Sequence, residues 1–179
     1  ISTIENFISE RYLDVLKIDC APANGIKVAV IGSGPAGITT AIKMAQLGYD
    51  VTIFESKAKI GGVLRFGIPE FRLPKSFIDR YDSLMRGLGI KIRPNMTIGK
   101  VFGIEELFRD GFKAISIGTG VTWPNTLNIK GETLGNVHYG VHYLESPDVY
   151  DLGKSLIVIG AGNVAMDVAR TALRHGVRD

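Results

Sequence analysis

The residues with the plainest chemical meaning are glycines. Gly32, Gly34 and Gly37 stand in the run Gly32-Ser33-Gly34-Pro35-Ala36-Gly37, the spacing of a turn that can hold a pyrophosphate. The first glycine permits the tight turn, the second lets backbone approach the phosphates, and the third lets the following helix pack closely on the strand before it. The helix start offers unpaired N–H groups and the positive end of its dipole to an anion. Pro35 suits the first helical position, because it pre-sets φ and lacks an N–H that would have no partner there. Further on, Glu55 is placed to accept hydrogen bonds from the ribose hydroxyls of an adenosine. The plainer reading of these residues is a glycine-rich turn in a ligand-free domain, with Glu55 solvated.

The elements around them favour the dinucleotide reading. Lys27-Val28-Ala29-Val30-Ile31 is rich in β-branched apolar residues, as expected of a central parallel strand covered on both faces. Ile38, Ala41, Ile42, Met44, Ala45 and Leu47 carry a helix that ends at Gly48, and Val51-Thr52-Ile53-Phe54 is a second strand with Glu55 at its end. Strand, glycine turn, helix, strand and acid arrive in that order. The logic recurs at Lys154–Ile159, read as a buried strand, followed by Gly160-Ala161-Gly162-Asn163-Val164-Ala165 and a helix with Ala169, Ala172 and Leu173. Two such loops in one chain form an internal repeat.

Composition bounds the remaining classes. The 179 residues are 45% hydrophobic and 22% charged, and the net charge is only +3. No Lys/Arg block stands out, so nucleic-acid binding is not expected. No apolar run could span a membrane as a helix. One cysteine, Cys20, leaves no intrachain disulfide and no thiolate cage, which fits a cytoplasmic protein. His138, His142 and His175 lack a convergent third ligand or acid, so no metal site is expected.

In chain order, Ser2-Thr3-Ile4-Glu5 reads as a capping box that opens a helix with Ile4, Phe7, Ile8 and Tyr12 on one face. Residues 19–25 read as a loop. After Glu55 the chain departs from an ordinary crossover. Gly61-Gly62 would let backbone approach a flat or charged ligand, and a proline-punctuated loop carries Arg65 and Arg72. These arginines read equally as solvated surface residues or as planar forks for a cofactor. Phe77, Tyr81, Leu84, Met85 and Leu88 give a core-facing helix from Lys75 to about Leu88. Short strands are expected at 90–92 and 96–98, a short helix over 101–109, and a buried strand over 112–120 that closes beside the first glycine loop.

The runs GSGPAG, FE, GGVLRFGIP, FRLPK, AISIGTG and IGAGNVAMDVARTALR together resemble the flavoprotein subunit of glutamate synthase (the small, β subunit). They equally resemble the matching half of dihydropyrimidine dehydrogenase and of NADH-dependent reduced ferredoxin:NADP oxidoreductase. The resemblance spans essentially the whole chain. It implies an α/β, Rossmann-like fold: a tandem dinucleotide-binding flavoprotein, truncated and preceded by a short helical segment. FAD would lie at the first loop, its pyrophosphate cradled by Gly32, Ser33, Gly34, Pro35, Ala36 and Gly37 and its adenosine ribose held by Glu55. Gly62, Val63 and Leu64 would run beside the flavin. Arg72 would contact the cofactor and Ile98 the adenine, while Gly118, Thr119 and Gly120 would lie close to it. Gly160, Ala161, Gly162, Asn163 and Val164 would meet the pyrophosphate of NADP or NAD.

These readings divide the chain into an N-terminal helix and linker (1–25), the first half of an FAD-binding domain (26–150) and the start of an NAD(P)-binding domain (151–179). The chain reads as a fragment, inactive alone, of an enzyme that passes a hydride from NAD(P)H to FAD. Such chemistry needs no side-chain acid or nucleophile, so no catalytic residue is named. The family's iron–sulfur clusters would sit in missing sequence or in a partner, either a large glutamate synthase-type subunit or an iron–sulfur protein. The residue that separates NAD from NADP lies roughly 20 positions past the second loop, beyond Asp179. Alanine in the third glycine position leans to NADP. The alternatives are a non-catalytic FAD- or nucleotide-binding module and a one-cofactor NAD dehydrogenase. The GG…GIP…FRLP run and the second loop argue against the latter.

Overall fold

The computed structural model describes residues 2–100 and 102–179, without the side chains of Ser2, Thr3 and Asn6. The capping box expected at Ser2-Thr3 and the helix start expected at Val101 therefore lie outside the described residues. The chain divides into two compact units, one of residues 1–64 and 74–120, the other of residues 65–73 and 121–179.

The first unit opens with α1 (Ser2–Tyr12), whose Ile4, Phe7, Ile8 and Tyr12 are exposed. β1 (Lys27–Ile31) leads into α2 (Pro35–Gln46) and β2 (Asp50–Phe54). A short α3 (Val63–Phe66) precedes α4 (Lys75–Gly87), β3 (Lys91–Arg93), α5 (Ile104–Arg109) and β4 (Phe112–Ile117). The four strands form one parallel sheet in the order β3-β2-β1-β4. β1 is central, and its side chains alternate between two buried faces. Ala29 and Ile31 join Phe54, Leu107 and Phe112 on one face. On the other, Val30 lies under α2 near Gly37. Val30, Val51, Ile53, Ile78, Met85 and Leu107 are almost wholly buried, each such side chain stabilising the fold by about 1.5–3 kcal/mol. Loop 19–25 is tied down by Ala21 N–H to Gln46 O and Asn24 N–H to Gly48 O.

Two expectations in this unit change. The strand over 112–120 forms as β4, but Lys113, Ala114 and Ile117 are exposed because β4 lies at a sheet edge. The strand over 96–98 reduces to a single bridge between Ile98 and Phe102.

In the second unit, α6 (Gly140–Glu145) packs on α7 (Asn163–Arg174) around Tyr143, Val168, Ala172 and Val177. α6 has no counterpart among the elements expected from sequence. The buried strand expected over 154–159 is also corrected: this stretch joins no strand, and Ile157 and Ile159 are 88% and 74% exposed. A buried strand needs a neighbour on each edge, and the backbone partners seen here are 178 and 179, through Leu156 N–H to Asp179 O and Arg178 N–H to Lys154 O. Leu156 and Val158 still pack on the α6/α7 cluster, so the alternation of a one-faced strand is kept without its sheet.

Candidate dinucleotide-binding site

β1 delivers the chain into its first glycine turn at the centre of the sheet. Gly32 has φ of +93°, and a Cβ there would collide with the carbonyl oxygen of Gly118. A Cβ on Gly37 would collide with the carbonyl oxygen of Gly32. Both glycines are therefore demanded by the fold. Gly34 is different. Its φ is −71°, and a Cβ there would come no closer to the protein than 4.0 Å, at Gly62 Cα. Nothing internal requires glycine at 34, and the space beside it is open to a ligand. Gly34 is the residue before α2, Pro35 is its first helical residue, and the dipole of this 12-residue helix points its positive end at the same place. This arrangement fits a pyrophosphate.

Ser33, wholly buried, joins three segments of this site. Its N–H donates to Glu55 Oε2 at 2.9 Å, and its hydroxyl donates to the same oxygen. Gly61 N–H donates to Ser33 O at 3.0 Å and lies 3.3 Å from Ser33 Oγ. Glu55 itself is 5% exposed. Its other oxygen, Oε1, accepts Lys57 N–H at 2.8 Å and the Ser56 hydroxyl at 3.1 Å. The first loop, the acid after β2 and the Gly61-Gly62 turn are thus one hydrogen-bonded assembly. Gly62 has φ of +51°, and a Cβ there would stand 2.8 Å from Gly34 Cα.

The remaining expected residues of the first unit fall around this assembly. Gly118 N–H donates to Ile31 O at 2.8 Å, bringing the end of β4 beside the glycine turn as the sequence expects. Thr119 and Gly120 follow, exposed, with Gly120 at φ of +73°. Val63 and Leu64 begin α3, and Lys75 Nζ donates to Leu64 O at 3.0 Å. Ile98 is half-buried against the cluster that contains Phe54.

In the second unit, Gly160 has φ of +125°. Gly162 is the residue before α7, with φ of −80° and nothing within 4 Å of the place a Cβ would occupy. It repeats the situation of Gly34: neither conformation nor packing demands glycine there. Ala161, Asn163 and Val164 are exposed beside it. Arg72 belongs to this unit, where its Nη1 pairs with Asp167 Oδ2 at 2.7 Å. Arg170 and Arg174 place their guanidiniums 4.6 and 3.9 Å from the ring centroid of Phe71, so they clasp an aromatic ring.

Sequence reasoning missed Asp167, although it sits within the quoted run IGAGNVAMDVARTALR. It is 4% exposed, and its Oδ1 is buried without a hydrogen-bond partner among the described residues. The signal was an acid on the apolar face of a helix. The α6/α7 core holds the Tyr143 hydroxyl, whose pKa is raised first by burial and then by the nearby Asp148 charge. Among the described residues no group of three His, Cys, Asp or Glu side chains could hold a metal ion.

Known proteins resemble this chain in sequence and in fold. The chain is 39% identical over 165 residues to the β subunit of NADP(+)-dependent formate dehydrogenase from Moorella thermoacetica, covering 89% of this chain and 23% of that protein. It is 37% identical over 168 residues to the small chain of glutamate synthase [NADPH] from Mycobacterium tuberculosis, covering 85% of this chain and 34% of that one. The chain thus spans about a third or less of these relatives' lengths. Among solved structures, FprA from Mycobacterium tuberculosis in complex with NADPH superposes with a TM-score of 0.70 at 26% identity, over 82% of this chain and 36% of that one. The profile of the pyridine nucleotide-disulphide oxidoreductases matches residues 26–178, and the chain belongs to that family of enzymes.

Proposed function

We propose that this chain is the FAD-binding part, with the opening of the NAD(P)H-binding part, of an oxidoreductase akin to the glutamate synthase small chain. The observation that carries the reading is Gly34: a glycine that neither backbone conformation nor packing requires, at the start of α2, next to a serine bonded to a buried acid. Gly162 repeats it at the second loop. In this reading the turn of residues 32–37 holds the FAD pyrophosphate, with Ser33's own donors spent on Glu55, and Glu55 holds the adenosine ribose. Ile98 meets the adenine. Gly62, Val63, Leu64, Gly118, Thr119 and Gly120 serve the rest of the cofactor, and residues 160–164 receive the nicotinamide dinucleotide. NADPH is favoured, because Ala165 takes the third glycine position and the relatives above carry NADP(H) in their names.

A bound FAD would supply the capacity to accept a hydride from a nicotinamide and to release electrons singly. This chain's own part is to bind and orient. Backbone N–H groups and two helix dipoles face the phosphates, and the buried Ser33–Glu55 pair fixes the ribose end. Relatives that are a β subunit and a small chain support a partner subunit as electron acceptor; iron–sulfur centres would lie in that partner or in sequence outside these 179 residues. No helix among the described residues is long and apolar enough to cross a membrane, and a cytoplasmic location is part of the proposal.

The test is the visible spectrum of the purified full-length protein before and after anaerobic NADPH. A flavin band that bleaches is the expected result. A protein that stays colourless even after incubation with FAD overturns the reading, and a flavin band indifferent to NADPH and NADH reduces it to a binding module.

A further inference from the structure

We propose that Ser33 and Ser56 divide the Glu55 carboxylate into a pinned oxygen and an exchangeable one, Ser33 being the positioning residue and Ser56 a hydroxyl that yields its place to the ligand's ribose. The inference rests on the FAD reading above and deepens it.

A carboxylate has about four acceptor positions, and all four are filled at Glu55. The two bonds on Oε2 come from a single residue, through the N–H and the hydroxyl of Ser33, which has no exposure at all. No ligand can reach them without breaking the glycine turn, because Ser33 is also held by Gly61 N–H. On Oε1 the situation is the reverse. Lys57 N–H is part of the chain as it leaves β2, but the Ser56 hydroxyl belongs to an exposed residue and bonds at 3.1 Å. A hydroxyl on an exposed side chain, bonded at 3.1 Å, is the weakest-held of the four partners. It offers the carboxylate the same donor that a ribose hydroxyl would. An incoming ribose can take that position with no loss of hydrogen bonds, since Ser56 turns to water.

The two serines make the same chemical contact with the same acid, yet the proposal gives them opposite consequences. Ser33→Ala leaves Oε2 with one partner and lets the carboxylate swing. Hydrogen bonds to a charged group are strong, so FAD affinity of the full-length protein falls about tenfold or more. Ser56→Ala removes only a competitor, so FAD affinity is unchanged or rises by up to a few-fold. Affinity is read by titrating FAD into apoprotein and following flavin fluorescence. ADP is titrated in parallel, monitored by thermal shift, to report the adenosine end alone. The Ser33→Ala loss should be present with ADP too. It should vanish in a Glu55→Gln background, because Ser33 acts through the charged carboxylate. Ser33→Cys, which keeps a weak donor of similar size, should recover part of the affinity and serves if the alanine variant folds poorly.

Ser33→Ala within twofold of the parent, an equal loss from Ser56→Ala, or a Ser33→Ala loss that persists undiminished in the Glu55→Gln background would each overturn the proposal. A parent protein that binds neither FAD nor ADP fails differently: it removes the cofactor reading itself, and the division of Glu55 with it.

Discussion

A methyl group on Gly37 would overlap the carbonyl oxygen of Gly32, and one on Gly32 would overlap that of Gly118, whereas one on Gly34 would approach nothing closer than 4.0 Å. Identical residues at the same turn therefore answer to different demands, and substitution should separate them. Gly32→Ala and Gly37→Ala force backbone apart in a close-packed region, and Gly32→Ala also strains a φ of +93°. Each should lower unfolding stability by about 1–3 kcal/mol, visible as a fall in the urea midpoint. Gly34→Ala should leave that midpoint within about 0.5 kcal/mol of the parent and weaken FAD binding instead. If Gly34→Ala destabilised the protein as much as Gly37→Ala, the argument that Gly34 faces a ligand would fail.

At the scale of elements, hydrogen-bonded acids organise the loops. Glu132 accepts the N–H groups of Leu127 and Asn128, both at 2.8 Å, and the Tyr139 hydroxyl at 3.1 Å. The Leu127 N–H is the largest influence on its pKa, which is lowered below the ordinary 4.5, and burial opposes it. A group whose pKa is lower in the folded than in the unfolded state stabilises most above its unfolded value and loses that contribution as pH falls through the folded one. The amide signals of Leu127 and Asn128 should therefore titrate together below pH 4.5, and Glu132→Gln should abolish the transition. Titration at or above the ordinary carboxylate value would sink the assignment. None of this turn was readable beforehand, because it depends on Glu132 reaching back to two amides rather than on any local pattern. β1, α2 and β2 were readable because apolar periodicity, Pro35 and Gly48 all speak locally and agree. The same periodicity misled at 154–159, where Leu156 and Val158 pack inward but no sheet forms around them, since strand status depends on neighbours. At the site, the placement of Glu55 at the end of β2 followed from its position in sequence. Its attachment to Ser33 did not, because that pairing spans 22 positions and is made only when β1 and β2 lie side by side.

At the scale of the whole molecule, the two glycine loops sit in separate compact units, and the proposed function gives them separate ligands. That separation can be tested with a substitution that the second loop tolerates. Gly162 has φ of −80° and ψ of 179°, extended backbone open to any residue, and no atom within 4 Å of the place a Cβ would occupy. Gly162→Val should therefore fold, and in the full-length protein it should retain stoichiometric FAD. Its side chain would stand where the nicotinamide dinucleotide's phosphates approach the start of α7. The expected outcome is a KM for NADPH raised at least about tenfold, the loss of roughly 1.4 kcal/mol of binding, with the flavin spectrum unchanged. Gly34→Ala should do the converse, lowering FAD content while the NADPH loop stays intact. Loss of FAD in the Gly162→Val protein would mean that the two loops serve one ligand, and the division of labour between the units would have to be abandoned.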